Sequence, residues 1–147
     1  MWIAGDAVGA DASAVRALAT DLGLDDVASW LGLRRDMPAL LDAADGFVQA
    51  SAWEGMPLAV GEAMAMEKPV AATAVGGVSE LVGDTGVLVP SRNPEALAAA
   101  MLEIMQRTPE SRQALGRVAR KRIAQNFSMD AIADKWEALY GTLTAGT

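Results

Sequence analysis

The chain contains no cysteine and no histidine. The first absence removes disulfides, thiolate metal sites and a cysteine nucleophile. The second removes a Ser-His-Asp triad and histidine-bound zinc, so no metal site is expected. Aromatic residues are few, at 5%, and cations are short: 12 Lys and Arg stand against 19 Asp and Glu, a formal net charge of -7. That balance argues against general nucleic-acid binding, which needs basic surface to displace counterions. No apolar run reaches the length of a membrane span and no signal-peptide pattern opens the chain, so a soluble, cytoplasmic domain is expected. A Walker P-loop and a true G-x-G-x-x-G are also missing. "GDAVGA" at 5–10 has the wrong glycine spacing, which makes a P-loop NTPase or a nicotinamide dehydrogenase a poor reading.

What is present reads as a globular α/β protein. In 147 residues, 52% are hydrophobic, mostly alanine, valine and leucine. That is enough for one domain with a real core spanning 1–147. Short apolar runs at 1–4, 27–31, 46–50, 69–73 and 86–90 are strand candidates, each too short for an independent helix. Helical patterns lie between them at Ala12–Leu22, Met37–Ala43, Leu58–Met66 and Val78–Val82. Strands apolar on both faces, joined by helices, predict a Rossmann-like parallel sheet of about five strands, covered on both sides. After Pro90 the pattern is helical only, so 1–90 form the α/β core and 91–147 a C-terminal helical segment. Asn93-Pro94 and Thr108-Pro109 open two of these helices, each with a capping side chain and a proline at the first helical position; Ser128 caps a third.

Charge is distributed unevenly. Residues 1–109 carry six Lys or Arg against fifteen Asp or Glu, whereas 110–147 carry six against four. The basic helix 110–126 holds Arg112, Arg117, Arg120, Lys121 and Arg122 beside an apolar stripe. A solvated face that balances the acidic body is favoured over contact with a membrane surface.

The stretch "SAWEGMPLAVGEAMAME", 51–67, places Glu54 and Glu62 around a helix start. Pro57 disfavours helix at Met56 and suits a first helical turn, so Glu54 falls in the loop after the third strand and Glu62 about one turn inside the helix. The carboxyl ends of parallel strands are where open α/β sheets bind ligands, and free N–H groups of a helix start suit a diphosphate. Carboxylates repel phosphate but accept hydrogen bonds from sugar hydroxyls. Two of them flanking a phosphate cradle suggest a ligand with polyols at both ends, as in a nucleotide-sugar. Solvated charges on a core helix are the plain alternative. In "TAVGGVSELV", Gly76-Gly77 follows a strand and opens a short helix, either to let backbone amides approach a ligand or simply to make a tight turn.

Taken together, residues 44–90, "ADGFVQASAWEGMPLAVGEAMAMEKPVAATAVGGVSELVGDTGVLVP", resemble the nucleotide-sugar-binding, C-terminal half of retaining GT-B glycosyltransferases of the group 1, family 4 type. The glutamate pair, the Glu-Ala-Met segment, the Pro-Val strand and the Gly-Gly-x-x-Glu-Leu turn carry the likeness. The resemblance implies that Glu62 binds the donor ribose and that Glu54 lies beside the transferred sugar as the catalytic carboxylate. The backbone of Gly55, Met56, Pro57 and Leu58 would line sugar and diphosphate, and Leu33 and Arg34 would lie near the base. No cofactor is implied; the substrate would be a nucleoside-diphosphate sugar such as a UDP- or GDP-sugar.

The resemblance also implies parts that these residues do not contain: an acceptor-binding N-terminal domain, and an earlier strand and helix with an Arg and a Lys that neutralise the diphosphate. The chain is therefore expected to be a donor-binding fragment of a hexosyltransferase, with little or no activity alone. A non-catalytic nucleotide-sugar-binding or interaction module that kept the fold is the alternative. With the first strand of a 3-2-1-4-5-6 order missing, its two neighbours are expected to close up or to share a strand with a second copy. The apolar stripe Ile132, Trp136, Leu139, Tyr140, Leu143 is expected to be partly exposed, or covered by the acceptor domain or a homodimer partner.

Overall fold

A computed structural model describes residues 1–5 and 10–144. Residues 6–9, within "GDAVGA" at 5–10, and residues 145–147 lie outside the described residues. The chain divides into two compact units, Met1–Met37 and Pro38–Thr147.

The first unit is a β-α-β crossover. Strand β1 (Trp2–Ala4) leads to helix α1 (Ala10–Asp21) and back to strand β2 (Ser29–Gly32), which pairs with β1 in parallel. Trp2 stands opposite Ser29 and Ile3 opposite Trp30, and a bulge between Ile3 and Ala4 sets Ala4 opposite Gly32. The guanidinium of Arg16 on α1 lies over the Trp30 ring, 5.1 Å from its centroid, tying helix to sheet. The second strand begins later than its apolar run suggests. Val27 is exposed, and its amide closes a turn onto the Leu24 carbonyl, at 3.0 Å, rather than joining the ladder.

The second unit holds helix α2 (Met37–Ala43), strand β3 (Phe47–Gln49), helix α3 (Leu58–Ala65), strand β4 (Val70–Thr73), helix α4 (Val78–Val82) and strand β5 (Val87–Val89). Helices α5 (Pro94–Gln106), α6 (Pro109–Asn126) and α7 (Met129–Thr144) follow. The sheet runs β3-β4-β5, all parallel. Central β4 is buried along its whole length, as expected of a strand covered on both faces. On one side Ala71 packs with Val89, Ala100 and Ile104 beneath α5. Val60, Ala63 and Met64 of α3, Val78, Leu81 and Val82 of α4 and Ala119 of α6 supply further core. The fully buried Met64 is core filler.

The helix starts form as their sequences require. Asn93 Oδ1 accepts from the Ala96 amide at 3.0 Å, Thr108 Oγ1 from Ser111 at 3.3 Å and Ser128 Oγ from Ala131 at 3.2 Å.

Two expectations need correction. The five strands do not close into one hydrogen-bonded sheet: β1 and β2 form one, and β3, β4 and β5 another. Closure within the chain was one of two expectations, the other being a strand shared with a second copy, because unmet backbone groups in an apolar interior are costly. Each sheet instead pairs strands that follow one another along the chain, β1 with β2 across α1, and β3, β4 and β5 in order. The basic helix is also more than a solvated face. Arg122 Nε donates to the Leu81 carbonyl at 2.9 Å and its Nη2 to Glu80 at 2.7 Å, satisfying the open end of α4. Arg112 donates to the Arg107 carbonyl at 2.7 Å and pairs with Asp45 at 2.9 Å. Arg120 lies 3.6 Å from Glu67, while Arg117 and Lys121 are exposed with no partner among the described residues.

Candidate functional site

Three turns of the second unit follow the carboxyl ends of its parallel strands: 50–57 after β3, 74–77 after β4 and 90–93 after β5. The first two, which the sequence presents as separate motifs, are built into each other. The Gly77 amide donates to the Gly55 carbonyl at 2.9 Å. A Cβ on Gly77 would stand 2.5 Å from that same oxygen, and one on Gly76 would overlap the Glu54 carbonyl. Gly76 also has φ of 50°, a left-handed backbone that glycine adopts without strain. The Gly-Gly pair thus permits backbone to lie directly on backbone. The Gly77 amide is spent on that support.

From beneath, buried Thr73 at the end of β4 donates its hydroxyl to the Ser51 carbonyl at 2.6 Å. Ser51 Oγ in turn donates to Glu54 Oε1 at 2.7 Å, and Gln49 Nε2 donates to the same oxygen at 2.6 Å. Glu54 is half-buried and held on one oxygen by two donors, while its Oε2 has no partner among the described residues. Gln49, Ser51 and Thr73 escaped the sequence reading. The available signal was Gln49, an amide at the end of an otherwise apolar strand.

Buried Pro57 precedes α3, whose start no side chain caps. The Val60 amide donates back to the Pro57 carbonyl at 3.1 Å and the Leu58 amide to Met56 at 3.0 Å. Glu62 stands on α3, exposed and without a hydrogen bond or ion pair among the described residues. Gly55, Met56 and Leu58 are exposed too. The structure therefore gathers Glu54, Gly55, Met56, Pro57, Leu58, Gly76 and Gly77 in one supported loop pair, and places Glu62 on the helix that follows.

Leu33 and Arg34 belong to the first unit, just after β2. Leu33 is exposed, and Arg34 is engaged by Asp36 through two hydrogen bonds, 2.8 Å from Nε and 2.6 Å from Nη2. These bonds hold the Asp36 carboxyl below its usual range and raise Arg34 further. Among the described residues no cluster of acidic side chains is arranged to hold a metal ion, and no helix is long and apolar enough to cross a membrane.

Parallel strands joined by helices, with polar loops gathered past their carboxyl ends, define a Rossmann-like α/β protein. The chain belongs to the glycosyl transferases group 1 family, whose family model matches residues 1–107. It is 36% identical, over 144 residues, to a D-inositol 3-phosphate glycosyltransferase from Corynebacterium aurimucosum, covering 94% of this chain and 34% of that protein. Among solved structures it resembles a sucrose-phosphate synthase from Thermosynechococcus elongatus, with a TM-score of 0.83, 30% identity and coverage of 99% of this chain and 39% of that one. It also resembles Anabaena HepE in complex with UDP and glucose, with a TM-score of 0.80 and 28% identity, covering 96% of this chain and 40% of that one. The chain spans about a third of the length of the curated relatives it matches.

Proposed function

We infer that this chain is the donor-binding part of a glycosyltransferase, which moves a sugar from a nucleoside-diphosphate sugar to an acceptor with retention. The observation that carries this reading is Glu54. A carboxylate steered by Gln49 and Ser51 through one oxygen, with the other left unspent, is prepared to accept a hydroxyl. It stands at the ligand-binding end of a parallel sheet, and exposed Glu62 follows on the next helix. The bound UDP and glucose of the HepE structure support the ligand class.

In this reading Glu62 accepts from the ribose hydroxyls and Glu54 from the transferred sugar. The Gly55–Leu58 backbone lines the diphosphate, and Gly76-Gly77 hold that loop in place. Transfer also needs an oriented acceptor and a neutralised leaving group. The chain by itself should bind donor yet turn over little.

Isothermal titration with UDP- and GDP-sugars and the bare nucleotides tests this. Glu62→Gln should cost about 1.5–3 kcal/mol of affinity for sugar nucleotide and nucleotide alike, from one charge-assisted hydrogen bond, with the melting temperature unchanged. Glu54→Gln should weaken only the sugar nucleotide. Equal binding by wild type and Glu62→Gln would remove the ribose assignment.

A further inference from the structure

The residue before Glu54 is an indole with nothing to do. Trp53 is 79% exposed, the most open of the four tryptophans. Trp30 lies under Arg16, and Trp136 stacks on Tyr140 with ring centroids 5.7 Å apart. Trp53 has no ring contact and no hydrogen bond among the described residues. Its Cη2 edge turns toward Gly55, 4.0 Å from where a Cβ would stand there. This large apolar face, left wet on a loop fixed from two sides and next in sequence to Glu54, is free to meet a ligand that Glu54 binds.

The chemistry beside it selects the occupant. An aliphatic ligand would gain from the indole but would have to desolvate the neighbouring carboxylate, whose Oε2 is unspent. A pyranose has both requirements on one ring: a face of C–H groups for the indole and an edge of hydroxyls for Glu54. The indole N–H adds a donor that the two glutamates lack. We propose that Trp53 is the stacking platform for the donor's sugar ring. This rests on the nucleotide-sugar reading given above.

The test uses UDP-glucose, GDP-mannose, UDP and GDP as probes. Trp53→Ala should weaken the better-bound sugar nucleotide about 10-fold, the scale of one lost aromatic contact, and leave its bare nucleotide within about 2-fold. Trp53→Phe should restore most of the loss. Because the ring is exposed, neither variant should change the melting temperature. In the wild type, the sugar nucleotide should alter tryptophan fluorescence more than the nucleotide does, and Trp53→Phe should abolish that difference. Equal losses for sugar nucleotide and nucleotide, no loss at all, or a Phe variant as weak as Ala would overturn the proposal. If Trp53→Ala is silent while Glu62→Gln still weakens nucleotide binding, the platform fails and the donor site stands. If none of the four probes binds the wild type, both readings fall.

Discussion

Gly77 donates its amide to the Gly55 carbonyl at 2.9 Å, joining the turn after β4 to the loop that carries Glu54. The contact is backbone on backbone, so it depends on glycine. The position of Glu54 therefore rests on a turn more than twenty residues away in sequence.

Gly77→Ala should be costly for that reason. Its Cβ would press on the Gly55 oxygen at 2.5 Å, and neither partner is the end of a flexible side chain. We expect a loss of about 1–3 kcal/mol in urea denaturation, typical of strain forced on a packed backbone. Donor affinity should fall as well, because the Glu54 loop must shift. An unchanged denaturation midpoint would show that the two turns separate without cost.

The basic residues of α6 should divide sharply. Arg122→Ala removes two hydrogen bonds to the last carbonyls of α4, and should cost about 1.5–3 kcal/mol, the range for bonds from a charged donor. Arg117→Ala and Lys121→Ala, on the exposed side, should stay within about 0.5 kcal/mol. Thermal unfolding of the three variants makes the comparison, and similar effects in all three would contradict the clamp.

Asp36 should titrate below the usual carboxyl value of 3.8, because Arg34 hydrogen-bonds its charged form. A lowered folded-state pKa gives stability that is present above the unfolded value and lost as pH falls through the folded one. Carboxyl-detected NMR between pH 2 and pH 5, as roughly the window around an unperturbed Asp, should show this. Arg34→Gln should return Asp36 toward its ordinary value. An unmoved titration in that variant would refute the pairing in solution.

Helix α7 buries none of its residues, and Trp136 is 53% exposed while Leu143 is 65% exposed. Trp136→Glu and Leu139→Glu should therefore change the melting temperature little. If a second copy covers this stripe, the same variants should convert dimer to monomer in sedimentation velocity. A large drop in melting temperature with a monomeric wild type would mean that α7 packs on its own chain.

Much of this protein could be read from its residues in order. α2 and α4 form over the residues their patterns mark, and Asn93, Thr108 and Ser128 cap where they stand, because caps and periodicity act over a few neighbouring residues. Glu54 and Glu62 were visible as a pair because Pro57 separates loop from helix locally. Only the tertiary structure decided what lies against what: Gly76-Gly77 against Glu54 and Gly55, Thr73 beneath Ser51, Gln49 beside Glu54, Arg122 on α4. Apart from Gln49 and Glu54, five residues apart, these contacts join segments far apart in sequence, which local propensity does not specify. The division of five strands into two sheets has the same origin, since strand partners are set by burial and long-range pairing and the local pattern is silent on both.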